Sequence, residues 1–194
     1  MEITSAQLKE LRDATGISVM QCKKALEEAG GDMDKARILL QKKGGEAAAK
    51  KSDRELGSGV IGSYVHNTNQ VAALVTLSCE TDFVAKNEEF VALANDIAMH
   101  VAAQAPVAVT REEVSEEEIA KVREVLKEEV VDKPEDMQEK ILEGKIDAYY
   151  KDRVLLEQAF IKDPEKTIGD LVQGAVQKFG ENAAITEVKR MSVA

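Results

Sequence analysis

The sequence predicts an α+β fold, in which an N-terminal three-helix unit precedes a core with a small antiparallel sheet, packed helices and a helical hairpin. Three observations predict it. Helix caps and 3.6-residue apolar spacing fill the first segment, two β-branched runs flank a turn-like tripeptide at Asn67-Thr68-Asn69, and helical periodicity dominates the chain after Asp82. A length of 194 residues suits one sizeable core plus a small satellite. The expected division is a helical domain over 1–45, a linker over 46–58 and an α+β core over 59–194, with the hairpin near 115–158.

Thr4 with Gln7, and Ser18 with Gln21, have capping-box spacing, which supplies partners for the first free N–H groups of a helix. Ile17 and Cys22 are placed for a hydrophobic staple, and Cys22, Ala25, Leu26 and Ala29 recur at helical spacing up to Gly30-Gly31. Asp32 caps a third helix carrying Met33, Ala36, Leu39 and Leu40, expected to stop at Gly44-Gly45. So small a unit is only marginally stable, so apolar residues exposed on it serve contact, and Val19 and Met20 are the candidates. From Gly44 to Gly59 the chain is rich in Gly, Ala, Ser and charge; Lys42, Lys43, Lys50, Lys51 and Arg54 make this its one locally basic stretch.

Val60 to His66 and Val71 to Cys79 read as a β-hairpin. Asp82 to Gln104 reads as one long helix with Phe90, Leu93, Ala94, Ile97 and Val101 on a single face. Ser115 with Glu118 opens another helix running to about Val130, and Asp132 and Pro134 break the chain before a partner helix through Met137, Ile141 and Tyr149. Ala159 to Ile161 is a short extended piece, Thr167 to Gly180 a helix, and Ala184 to Val193 a closing strand.

Composition excludes several classes of function. A net charge of −10, from 36 acidic and 26 basic residues, repels a polyanion over most of the surface, so no direct nucleic-acid partner is expected. The basic linker lacks interleaved aromatics for base stacking and suits an acidic partner surface better. Two cysteines in no ligand spacing argue against a disulfide framework or zinc site and for a reducing compartment. The N-terminus does not read as a signal peptide, and no apolar run is long enough to span a bilayer, so a cytoplasmic location without membrane contact is expected. No glycine-rich phosphate loop occurs, since Gly57, Gly59 and Gly62 precede a strand instead of following one; no cofactor, catalytic or metal site is expected.

Thr81-Asp82-Phe83-Val84-Ala85-Lys86 sits where a strand ends and a helix begins. In one reading Thr81 or Asp82 caps that helix and Phe83 packs beneath it. In the sharper one Phe83 is exposed beside Asp82, a wedge whose ring supplies apolar area at little entropic cost and whose carboxylate competes at an anionic or metal-bearing pocket. His66 and Cys79 could be imagined as a base and thiol, but no flanking pattern supports a nucleophile. His100, Cys22 and Cys79 are read as packing residues.

The opening TSAQLKELRDATGISVMQCKKALEEAGGDMDKARILLQKKG resembles the N-terminal, ubiquitin-associated-like domain of the elongation factor Ts family. TDFVAK is similar to that family's most characteristic hexapeptide, and GVIGSYVH, IAMHVAA, KPEDMQEKILEGKI, LLEQAFIKDP and KTIGDL resemble its segments in its order. The resemblance implies a translation factor, not an enzyme, that binds elongation factor Tu with GDP and promotes GDP release so that GTP can bind. It implies that Asp82 and Phe83, flanked by Thr81 and Val84, intrude beside the magnesium site of that GTPase. It further implies partner contacts from Arg12, Val19 and Met20, with Val19 standing where a methionine is familiar, and from Lys51 and His66. The chain resembles the short form, with one half-core where longer relatives have two, which implies a homodimer as one way to present the full surface; Cys79 is its last cysteine, so the late disulfide of one such relative type has no counterpart. Two rivals remain: a ubiquitin-associated-like adaptor or chaperone, favoured if residues 1 to 45 bind partners alone, and an enzyme using Cys79 and His66, which would need a low thiol pKa.

Overall fold

The computed structural model describes residues 3–131 and 134–193, the side chains of Glu135 and Asp136 excepted. Three helices come first: α1 (Ser5–Thr15), α2 (Val19–Glu28) and α3 (Met33–Ala49). Thr4 closes the full capping box with Gln7, Ser18 accepts the Gln21 N–H, and the Asp32 carboxylate accepts from Asp34 and Lys35 N–H at 3.1 Å. Gly16 ends α1 in the left-handed region at φ 68°, where a side chain would be strained. The three helices bury Leu11, Ile17, Cys22, Ala25, Leu26, Ala36 and Leu40 against one another.

The third helix does not stop at Gly44-Gly45, as its glycines suggested, but continues through them to Ala49. Each glycine costs helix propensity of about 1 kcal/mol, and packing outweighs that cost. Gly44 is buried against helix α8 (Ile168–Phe179), where an added Cβ would lie 2.9 Å from Gln177 Oε1, and Gly45 faces Gln173. The pair makes a flat stripe on which α8 closes, and Gln41 secures it by donating to Asp170 Oδ1 at 2.7 Å.

In the remainder, β1 (Ser58–Val65) and β2 (Val71–Cys79) form the expected hairpin, with Asn69 at φ 56° in its turn. Next come α4 (Asp82–Ala85) and α5 (Glu88–Gln104), so the single long helix expected from Asp82 is in fact two. Asn87 separates them because its side chain accepts the Glu89 N–H at 2.9 Å and so starts a new helix. Helices α6 (Glu116–Glu128) and α7 (Glu135–Arg153) make the helical hairpin, opened by Ser115 as expected; Asp132, read as part of the break, lies outside the described residues. Arg123 bridges Glu139 and Glu143 across the pair, over buried Val130, Leu142 and Ile146.

Strand β3 (Ala159–Phe160) pairs antiparallel with β4 (Asp163–Thr167), a strand whose charged sequence gave no β signal. After α8, β5 (Ala183–Ser192) completes an antiparallel sheet of order β1-β2-β5. α5 crosses one face of that sheet with Phe90, Ala94, Ile97, Ala98 and Val101 fully buried, over Ala73, Val75 and Leu77 of the central strand. Ile61, Val65, Leu74 and Met191 stand exposed, and the strand register aligns them on the opposite face.

Candidate functional site

The corner after β2 is built from beneath. Val84 and Ala85 are buried in the core, and because successive helical residues turn by about 100°, Asp82 and Phe83 are left facing outward. Phe83 is 81% exposed, so the reading that packed its ring beneath the helix is overturned. Thr81 occupies the N-cap position but makes no capping bond. Its hydroxyl donates instead to Glu181 Oε1 at 2.6 Å, and its backbone N–H to Glu181 Oε2 at 2.9 Å.

The register explains this clasp. Cys79 lies opposite Ala183 in the β2–β5 ladder, so residues 80–81 and 181–182 face each other just beyond the sheet. Glu80 reciprocates, accepting the Asn182 N–H at 2.5 Å and bonding Arg54 at 3.2 Å. The Asn182 N–H, and secondarily Arg54, hold the Glu80 carboxyl below the usual glutamate range. Asn182 Nδ2 donates to the Arg54 carbonyl at 3.1 Å, and Lys51 Nζ donates to the Gly180 carbonyl at 2.7 Å. Lys51 therefore meets the left-handed end of α8 at the residue before Glu181.

Asp82 pairs with Lys86 at 2.6 Å, and that hydrogen bond lowers its pKa, so the carboxylate is ionised at neutral pH. The corner thus offers solvent an anionic oxygen beside a bare aromatic ring on a backbone fixed on two sides. Among the residues expected here, Thr81, Asp82 and Phe83 reach the surface, whereas Val84 is only 3% exposed and serves as the anchor.

The other expected contact residues lie elsewhere. Arg12 is in the last turn of α1, and Val19 and Met20 open α2 with 48% and 65% exposure, so the three flank the same interhelical turn. His66 follows β1 at the opposite end of the hairpin, its Nδ1 3.1 Å from Tyr64 Oη. Ser58 is the residue facing Cys79, so His66 stands about 25 Å from the thiol at ~3.3 Å per residue. Burial, the largest influence, raises the Cys79 pKa, which further removes it as a nucleophile. Glu80, Glu181 and Asn182 escaped the sequence reading because their proximity to the corner depends on strand register.

Among the described residues no helix is long and apolar enough to cross a membrane. A model of the family described as elongation factor TS matches residues 13–194. The chain belongs to the elongation factor Ts family. It is 48% identical to an elongation factor Ts of Thermosipho melanesiensis, with 98% of each chain covered. It is 49% identical to one of Herpetosiphon aurantiacus, covering all of this chain and 98% of the relative. With one of Desulforamulus reducens the identity is 48%, over 97% of this chain and 88% of the relative. The function is that of this family of translation factors, guanine-nucleotide exchange on elongation factor Tu.

Proposed function

We propose that this chain releases GDP by pressing Asp82 and Phe83 against the magnesium-bearing edge of the nucleotide site of elongation factor Tu. The observation that carries the reading is the 81% exposure of Phe83 on a corner fixed from below by Val84 and from the side by Glu181. Magnesium demands near-ideal octahedral geometry and bridges phosphate to protein, so a small displacement of its supports weakens GDP. Linkage makes the effect reciprocal: the factor and GDP weaken each other by one ratio, and GTP completes exchange by displacing the factor. The chain acts by binding, with no bond made or broken.

Residues 1–45 form the docking module in this reading, with Arg12, Val19 and Met20 against the GTPase and Val19 shorter and stiffer than the familiar methionine. Residues 46–58 connect it to the core, 59–194, and the factor works in the cytoplasm, where translation runs. Lys51 is tied to Gly180 in the free protein, and meeting the partner would require it to share or leave that bond. His66 lies at the far end of the hairpin and would touch a separate part of the partner. A homodimer is also supported, because Ile61, Val65, Leu74 and Met191 line an uncovered sheet face that a second copy can close.

The test is the release rate of fluorescent GDP from elongation factor Tu. Wild-type protein should accelerate release strongly. The Asp82→Ala, Phe83→Ala double variant, whose ring contributes little to the core, should keep its thermal midpoint and lose about 30-fold or more of the acceleration, the scale of a central aromatic contact. Equal acceleration by a folded double variant would sink the wedge.

A further inference from the structure

We propose that Glu181 is a positioning residue for exchange, holding the wedge at the angle that reaches the GTPase; this rests on the wedge reading above. Helix α4 has only four residues, too few to hold its own shape, so its geometry has to be imposed from outside. Val84 and Ala85 fix its depth, and the Thr81 carbonyl accepts from Ala85 N–H and Cys79 Sγ, both at 3.2 Å, which ties the inner side of the corner to the end of β2. Glu181 holds the outer side, since its two carboxylate oxygens engage two different atoms of the same residue, Thr81 N and Oγ1, at 2.9 and 2.6 Å.

The local sequence prefers something else. A threonine at the N-cap ordinarily turns its oxygen toward the N–H groups of the following turn, and Thr81 has given up that role to donate to Glu181. The bond therefore joins two segments a hundred residues apart at the expense of the helix cap. Glu181 is itself held in place, because it lies between Gly180, whose left-handed φ of 76° sets the turn and whose carbonyl receives Lys51, and Asn182, whose N–H is taken by Glu80. A wedge misaimed by about an ångström loses most of its effect on a metal site without losing its docking contacts.

The experiment measures GDP release from elongation factor Tu against factor concentration, for wild type, Glu181→Ala, Glu181→Gln, Asp82→Ala/Phe83→Ala and the triple combination. Glu181→Ala should lower the maximal release rate about tenfold and move the half-saturating concentration less than about twofold. Glu181→Gln should restore the rate, because its amide oxygen still accepts the Thr81 N–H and its NH2 donates to the Thr81 hydroxyl oxygen. Adding Glu181→Ala to the Asp82→Ala/Phe83→Ala variant should change the rate less than twofold, since a residue acting through the wedge has nothing left to position. An equal tenfold loss on that background, or a wild-type rate for Glu181→Ala while the wedge variant is slow, overturns the assignment and leaves the wedge standing. A wild-type rate for the wedge variant removes both. Should Glu181→Ala fail to fold, Thr81→Val removes the hydroxyl half of the clasp and must show the same pattern, a lower maximal rate at unchanged half-saturation; a shift confined to half-saturation refutes the assignment.

Discussion

Gly62→Ala tests whether the sheet and α5 are packed as closely as the backbone distances state. A Cβ built on Gly62 would stand 2.1 Å from the Ala94 carbonyl oxygen, 2.2 Å from its carbon and 2.7 Å from Asn95 N. All three are backbone atoms, so no side chain can rotate away. Restoring an ordinary contact of 3.4 Å requires α5 to back off β1 by about 1.3 Å. That shift loosens fully buried Phe90, Ala94, Ile97, Ala98 and Val101 and stretches the Ser63 N–H bond to Asn95 Oδ1, now 3.0 Å. Radial gaps of about 0.5–1 Å already forfeit a quarter to a half of dispersion attraction, and overpacking ordinarily costs about 1–3 kcal/mol. A backbone clash belongs at or above the top of that range, so about 3 kcal/mol or more is expected. In a chain of this length that lowers the thermal midpoint by about 6–12 °C. Thermal unfolding followed by circular dichroism reads it, with Gly174→Ala as the control: Gly174 lies inside α8, where an added Cβ would meet nothing within 4 Å beyond its chain neighbours and the backbone of its own helix. There alanine should raise the midpoint by about 2 °C, from helix propensity of about 0.5–1 kcal/mol. A fall of less than 2 °C for Gly62→Ala, or equal effects at the two sites, would refute the packing argument.

Buried and uncovered groups give two further expected outcomes. His100 is fully buried with Nε2 3.0 Å from Gln158 Oε1 and, among the described residues, no partner for Nδ1, and burial holds its pKa below the ordinary 6.5. The unfolded chain then binds the proton first, so stability is full above pH 6.5 and falls on acidification, by up to about 1.4 kcal/mol per pH unit, until the folded value is reached. Urea titrations at pH 7.5 and 5.5 should show a smaller loss in His100→Phe than in wild type, and matching losses would exclude His100 as the source. Ile61→Lys places a charge on the open sheet face, so a dimer closed there should dissociate in sedimentation experiments while the thermal midpoint of the monomer stays within about 2 °C. A wild-type oligomeric state for this variant would move the dimer contact elsewhere.

Local chemistry announced most of the elements. Thr4, Asp32, Ser115 and Thr167 act at helix starts as the sequence foretold, and Asn67-Thr68-Asn69 turns the hairpin because such residues tolerate the backbone a tight turn needs. The hexapeptide at Thr81 was legible as a strand-to-helix corner for the same reason. Where local preference and long-range packing disagreed, packing won. Gly44-Gly45 lies inside a helix because α8 covers it, and Asp163–Thr167 became a strand through its pairing with Ala159-Phe160; the break at Asn87, by contrast, is a local cap that the apolar periodicity masked. The exposure of Phe83 was undecidable from spacing, since the same residues serve a buried ring or an outward one. It was decided by Val84 and Ala85 entering the core and by a strand register that brings Glu181 to Thr81. Caps, turns and periodicity are energies between neighbours a few residues apart and so are written in the sequence by itself. The aim of the wedge and the clasp behind it depend on atoms a hundred residues away, and only the folded chain brings those together.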